Sequence, residues 1–316
     1  MIGGDYLVIV NTQVPMTWAL ADQTMDELQR AYPFIRSEIL TETAFGRNVR
    51  TLVIGEGPRQ VLFTAAHHAN EWITAPLLLQ FAGELAQAIQ TGGKIWGVPA
   101  KNINDLVTVH LVPMVNPDGV DLVTGAIAPG TAEYDRAQAL SRNYPAIPFP
   151  DGWKANLNGV DLNLQYPAGW LQAREIKFSQ GFTRPGPRDY VGRCPLGQPE
   201  ARALAEYTEE VDPRVVLAFH TQGRVIYWQF EDIEVKGAKD LAEEFARVSG
   251  YQLEDTPYAS SFAGYKDWFI RIYRRPGFTV EVGMGENPLP LQQFAEIYRD
   301  NLGILVTAAT GLPGGV

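Results

Sequence analysis

The run Val61-Leu62-Phe63-Thr64-Ala65-Ala66 constrains this chain more than any other stretch. It does not alternate apolar with polar residues, so a strand built from it must be covered on both faces. Val215-Val216-Leu217-Ala218-Phe219 is a second such run. Arg50 to Ile54, Leu106 to Val112, Val225 to Trp228 and Phe278 to Val282 also read as strands. Helical patterns fall between and after them, at Ile73 to Ile89, Gly237 to Val248, Asp267 to Tyr273 and Leu291 to Thr307. Pro76 lies in the first turn of its helix, where proline is tolerated. A short amphipathic helix is expected over Met25 to Tyr32, stopped by Pro33. This alternation predicts an α/β single domain: a central mixed, mostly parallel twisted sheet flanked by helices. The segment from Pro113 to about Gln198, rich in Pro, Gly and Asn, reads as long loops crossing the mouth of a site.

The 316 residues are 46% hydrophobic, enough to bury a large core, and carry a formal net charge of −10. That charge argues against nucleic acid or an anionic membrane as the main partner. The one cysteine, Cys194, allows no intrachain disulfide. No basic signal-peptide start and no stretch of membrane-spanning length is present. The expectation is therefore a soluble product without membrane insertion, cytoplasmic or associated with the spore or cell wall. Residues 1–16 are expected to be an N-terminal arm or linker, and residues 17–316 the catalytic domain.

Both buried runs end in histidine, at the carboxyl ends of strands where open α/β sheets place their sites. The first continues His67-His68-Ala69-Asn70-Glu71, and the second ends at His220. His68 and Glu71 are a His-x-x-Glu pair, and His220 completes a His, Glu, His set suited to one Zn²⁺ with an open position. Each has a plainer reading alone: a hydrogen-bonded histidine, or a carboxylate favoured by a helix start. His67 points to the opposite face by period-2 alternation and is expected to be structural. His110, inside an apolar strand, reads as a core histidine. The metal is expected to be zinc, although a His₂Glu set binds other divalent ions.

Phe278-Thr279-Val280-Glu281-Val282 carries a carboxylate within a strand. Thr279 and Glu281 share one face; Phe278, Val280 and Val282 share the other. One account pairs Glu281 with Arg274 or Arg275. The other makes it a general base for a water activated by the metal.

Taken together these residues resemble the zinc carboxypeptidase family of metallopeptidases, from about Met25 to the C-terminus. Several ordered segments carry the resemblance: His68-Ala69-Asn70-Glu71, Asn116-Pro117-Asp118-Gly119, Gly159-Val160-Asp161-Leu162-Asn163, Tyr190-x-Gly192-x-x-Pro195-Leu196 with Pro199-Glu200, His220, and Phe278-Thr279-Val280-Glu281. The resemblance implies that His68, Glu71 and His220 are zinc ligands, Glu281 the catalytic carboxylate and Asn163 a substrate contact. Tyr258 sits near the position of the family's mobile substrate-binding tyrosine. Exocarboxypeptidases follow that Asn with an Arg that clamps the free C-terminal carboxylate. Here the residue is Leu164, and a bidentate guanidinium contact has no apolar substitute. Asn70 replaces another common Arg. Lys154 is the nearest cation for the oxyanion; its plain reading is a solvated surface lysine.

The segments Trp153-Lys154-Ala155-Asn156, Gln165-Tyr166-Pro167-Ala168-Gly169-Trp170, His220-Thr221-Gln222-Gly223 and Gly264-Tyr265-Lys266-Asp267-Trp268 most resemble one branch, the γ-D-glutamyl-L-diamino acid endopeptidases of bacteria. Lys266 stands where the family places the base of its S1′ pocket, and a lysine there would attract the second carboxylate of meso-diaminopimelate. Arg184 and Arg188 are rim candidates for the γ-D-Glu carboxylate. Trp153, Tyr166 and Trp170 either line the cleft or belong to the core. The resemblance implies hydrolysis of γ-D-glutamyl–meso-diaminopimelate bonds in peptidoglycan stem peptides. The alternatives are a carboxypeptidase, a metal-dependent deacylase of acyl-amino acids, and a catalytically inactive peptidoglycan-binding module.

Overall fold

The computed structural model describes residues 10–311. Residues 1–9 of the expected N-terminal arm lie outside the described residues, as do residues 312–316. Val10 and Met16, from the remainder of that arm, are buried in the main core.

The strands are β1 (Arg36–Glu42), β2 (Asn48–Ile54), β3 (Arg59–Ala65), β4 (Lys94–Ile95), β5 (Val98–Pro99), β6 (Val107–Val112), β7 (Val215–Thr221), β8 (Val225–Tyr227), β9 (Gln252–Glu254) and β10 (Gly277–Val282). All but β4 and β5, which pair separately, form one eight-stranded sheet in the order β1-β2-β6-β3-β7-β10-β8-β9. The middle four strands, β6, β3, β7 and β10, run parallel. The pairings β1 with β2, β2 with β6 and β10 with β8 are antiparallel. The mixed α/β sheet expected from the sequence is therefore the fold.

Strand side chains alternate between two cores, as their period of two requires. Phe63, Leu217, Phe219, Val280 and Val282 enter the larger core with Leu77, Leu78 and Phe81 of helix Thr74–Thr91 and Leu305 of helix Phe294–Thr310. Leu62, Val216 and Ala218 enter the second core with Leu204 of helix Pro199–Val211 and Phe269 of helix Tyr265–Tyr273. His220 and Glu281 are in register across β7 and β10 and leave the sheet on the side of this second core.

Three local departures from the sequence expectation have physical causes. The first helix runs Trp18–Ala31, because Thr17 caps it by accepting a hydrogen bond from the Leu20 amide at 3.2 Å. Edge strand β1 escapes the apolar pattern because it is largely exposed. The stretch read as continuous loops contains helices Pro117–Val123, Ala132–Ser141 and Trp170–Ser179. Asn116 and Thr131 cap the first two through the amides of Gly119 and Tyr134.

Candidate active site

The site begins where β3 ends. Ala66 takes a left-handed conformation, φ 48°, which turns the chain off the sheet. Its amide donates to Thr74 Oγ1 at 2.9 Å, and its carbonyl accepts from the Asn116 amide at 3.0 Å. Asn116 Nδ2 donates to the His67 carbonyl at 3.1 Å. The one-turn 3₁₀ segment Ala69–Glu71 then folds Glu71 back beside His68.

Two imidazoles and one carboxylate converge there. His68 Nδ1 lies 3.0 Å from Glu71 Oε1, and His220 Nδ1 lies 2.8 Å from Glu71 Oε2. The two Nδ1 atoms are 3.2 Å apart. All three side chains are buried, and their ligand atoms lie within 4.8 Å of one another. Buried groups of this kind, aimed at one point, fit a divalent cation of the zinc type.

The opposite nitrogen of His68, Nε2, lies 3.1 Å from Asp161 Oδ1. Burial disfavours the imidazolium of His68, but the charges of Glu71 and Asp161 outweigh it and raise the ring to about 9. Coordination needs the neutral ring, so a cation held here would compete with the proton for His68. Burial also opposes charge on Glu71, yet His68, Lys154 and His220 hold its carboxyl well below the usual range.

Lys154 Nζ donates to Glu71 Oε1 at 2.8 Å, with its side chain only 17% exposed. The solvated-lysine account does not hold. Glu281 is half-buried, lines the same cleft and pairs in register with His220. Burial, then the charge of Glu71, raises its carboxyl to about 8, against the pull of Lys154 and His68. The arginine account of Glu281 fails too: Arg275 pairs with Asp212 at 2.6 Å, and Arg274 and Arg275 both line a different cavity from the one Glu281 lines.

A zinc carboxypeptidase family model matches residues 21–303. The chain belongs to the zinc carboxypeptidase family. It is thus a zinc metallopeptidase, and the His68, Glu71 and His220 group is where the family's Zn²⁺ can be held.

Within the family, the chain is 43% identical over 298 residues to gamma-D-glutamyl-L-diamino acid endopeptidase 1 of Lysinibacillus sphaericus, covering 94% of this chain and 73% of that protein. Among solved structures, it resembles thrombin-activatable fibrinolysis inhibitor, with a TM-score of 0.72 at 16% identity over 93% of this chain and 73% of the other. It also resembles murein-tripeptide amidase MpaA of Escherichia coli O157, with a TM-score of 0.54 at 19% identity over 88% and 93% of the two chains. Both structural likenesses extend the family's fold over nearly all of this member. No helix among the described residues is long and apolar enough to cross a membrane.

The family's metal group opens into a cleft of about 200 Å³ lined also by Lys154, Asn163, Leu164, Arg188, Lys266 and Glu281. A larger cavity, about 750 Å³ and lined by Glu84, Lys94, Trp96 and Leu302, contains none of the metal group. Asn163 Oδ1 accepts from the Tyr265 amide at 3.0 Å. Lys266 is buried and donates to Asp267. Arg188 pairs with Asp189 at 2.6 Å on the wall. Arg184 is exposed, its backbone bonded on both sides to the Tyr144 hydroxyl, and does not line the cleft. Tyr258 is 72% exposed, its ring edge-on to Phe262 at 5.4 Å; its neighbours Pro257 and Ser260 reach the cleft. Trp153, Tyr166 and Trp170 are core residues.

His67 is fully buried, stacked on His220 at 5.5 Å, and burial keeps its ring neutral. His110 bonds Tyr207 and Gln60 at 2.6 and 2.8 Å within the sheet. Sequence reasoning missed Asp161 as the partner of His68, although its motif was in view. It also missed Lys177, which lines the cleft and pairs with Asp189 at 2.6 Å. No motif marks that lysine, because it lies on a helix hidden in the loop-like segment.

Proposed function

We propose that this zinc peptidase hydrolyses the γ-D-glutamyl bond to a diamino acid in bacterial cell-wall stem peptides, with meso-diaminopimelate as the leaving residue. The observation that carries the reading is the cleft itself, where His68, Glu71, His220 and Glu281 share one lining with Lys266 and Leu164; the resemblance implies that exocarboxypeptidases have an arginine clamp at the place of Leu164. The 43% identity to an endopeptidase of that name supports the same substrate class.

His68, Glu71 and His220 would hold the Zn²⁺. When bound, the ion lowers the pKa of a water and polarises the scissile carbonyl. Glu281 takes the proton of the attacking water and returns it to the leaving amine. Its place in the cleft beside the metal group, in register with His220, suits a group that must both accept and release a proton there. Lys154 supplies positive charge for the developing oxyanion. Asn163 and Arg188 orient the substrate's backbone and the γ-D-Glu carboxylate, and Lys266 receives the diamino acid. Tyr258 would reach the substrate from the rim.

A peptide panel, run with and without chelator, tests the reading. L-Ala-γ-D-Glu-meso-diaminopimelate should be cut at the γ-bond, and a C-terminal blocking group should not prevent cutting. Release of C-terminal residues from ordinary α-peptides, with the γ-peptide left intact, would establish the carboxypeptidase reading instead.

A further inference from the structure

The strand ends opposite the catalytic cleft hold a second concentration of charge. A cavity of about 460 Å³ there is lined by Arg59, Arg214, Lys236, Arg274 and Arg275, with no carboxylate in its wall. Arg59 is the first residue of β3, Arg214 precedes β7, and Arg274 and Arg275 lead into β10. The metal group and Glu281 stand at or near the other ends of these strands. The two sites are thus separated by about the length of the seven-residue β3, roughly 20 Å. Five of the chain's 26 lysines and arginines meet in this one hollow, in a protein whose formal net charge is −10.

A single surface arginine is ordinarily solvated and asks for no partner. Here the charges are gathered and mostly uncompensated. Arg275 is neutralised by Asp212 through two contacts, at 2.6 and 3.2 Å. Among the described residues, Arg59, Arg214, Lys236 and Arg274 pair with no carboxylate. Arg59 donates to the Thr310 carbonyl at 2.8 Å, which steadies its guanidinium and leaves most of its donors free. Four like charges around one hollow repel one another, and no group in the wall offsets that repulsion. A bound anion would offset it.

Another part of the wall acts in the same direction. Gly237 lines the cavity and begins the helix Ala238–Ser249 with no side-chain cap. Amides in the first turn of a helix carry partial positive charge and serve an anion when no side chain caps them. Asp240, in that turn, is exposed and stands outside the wall. The remaining side chains of the wall are apolar, buried Val61 and Leu241 among them. Apolar wall beside cations suits an organic anion better than a bare ion, and the volume is in the range of small-molecule sites. The number of charges sets the class of anion. One guanidinium fork satisfies one carboxylate, whereas several uncompensated cations match the charge and the oxygens of phosphate groups. A hollow in a chain of net −10 is poorly suited to a broad anionic surface such as a membrane.

The geometry points to a second, non-catalytic site in this cavity, for a small organic phosphate with at least two negative charges. It does not rest on the γ-D-glutamyl reading, since none of its residues lines the catalytic cleft.

Calorimetric titration of the zinc-loaded chain with fructose 1,6-bisphosphate tests the site. The bisphosphate should bind. The triple variant Arg214→Gln/Lys236→Gln/Arg274→Gln should bind it about 10- to 100-fold more weakly, with native zinc content and circular dichroism. All three residues are exposed, so the core is untouched. Equal affinity in the variant would overturn the inference and assign the binding elsewhere, to the cations of the catalytic cleft. No binding to the native chain at physiological salt would overturn it outright. Adipate, a dicarboxylate, bound as tightly as the bisphosphate would overturn the phosphate class. Vesicles of phosphatidylglycerol and phosphatidylcholine, bound by the native chain but not by the variant while the bisphosphate is ignored, would overturn it in favour of a membrane contact.

Discussion

His68 is held from both ends: its Nε2 meets Asp161 Oδ1 at 3.1 Å while its Nδ1 faces Glu71 and His220. Asp161 is in turn fixed by the amides of Asn163 and Asp189, at 3.1 and 3.2 Å. A carboxylate behind a ligating imidazole sets its tautomer and orientation and raises its basicity. Asp161→Asn should weaken zinc binding by roughly 10- to 100-fold. Competition against a chromophoric chelator measures this. Unchanged affinity in a folded variant would assign Asp161 to the framework and not to the metal.

Glu281 is two residues from Thr279 on the cleft-lining face of β10 and in register with His220. Glu281→Gln keeps the shape and removes the base. Turnover of the γ-peptide should fall by about 10²- to 10⁴-fold, the usual worth of a positioned base, while zinc content per chain stays the same. Full turnover at normal zinc occupancy would remove Glu281 from the mechanism.

The buried strands could be read from the sequence because their signal is local. β3 and β7 are buried apolar runs, and they carry the chain to His68 and His220 of the metal group. What could not be read depends on distant partners. β1 is an exposed edge with no apolar run to announce it. Lys154 looks like a surface residue in sequence; only the meeting of its segment with Pro187 and Glu71 buries it. Lys266 and Asp267 are adjacent on a helix, a spacing at which side chains do not normally face each other. Their contact, and the Gln229 carbonyl that also accepts from Lys266, come from the fold around that helix, and no motif encodes them.

Lys154 and a bound metal ion would share Glu71, since Nζ already donates to Oε1. Removal of the lysine therefore frees that carboxylate, and Lys154→Met should bind zinc at least as tightly as the native chain. Its kcat should nevertheless fall by roughly 10²- to 10³-fold if the charge serves the oxyanion, and Lys154→Arg should recover part of the loss. Steady-state kinetics at saturating zinc, with metal affinity measured separately, tests both halves. Loss of zinc affinity in Lys154→Met would show that the lysine organises Glu71 and that its effect on rate is indirect.

Away from the catalytic group, Glu200 should control how stability varies with pH. It is 1% exposed, and burial raises its carboxyl to about 7, although Asn156 Nδ2 donates to it at 3.2 Å. In the unfolded chain the group titrates near 4.5. The folded state therefore binds the proton more tightly. The resulting stabilisation is complete below pH 4.5 and is lost as pH rises through 7. The difference corresponds to roughly 3 kcal/mol at most. His110 acts at the other end: burial lowers its ring from 6.5 to about 4, so its contribution is present above pH 6.5 and is lost as pH falls through 4. Glu200→Gln should remove the decline between pH 5 and 8 and leave the acid limb unchanged. Urea unfolding of both proteins at saturating zinc measures this. Parallel curves for native and variant chains from pH 5 to 8 would mean that Glu200 titrates normally in the fold.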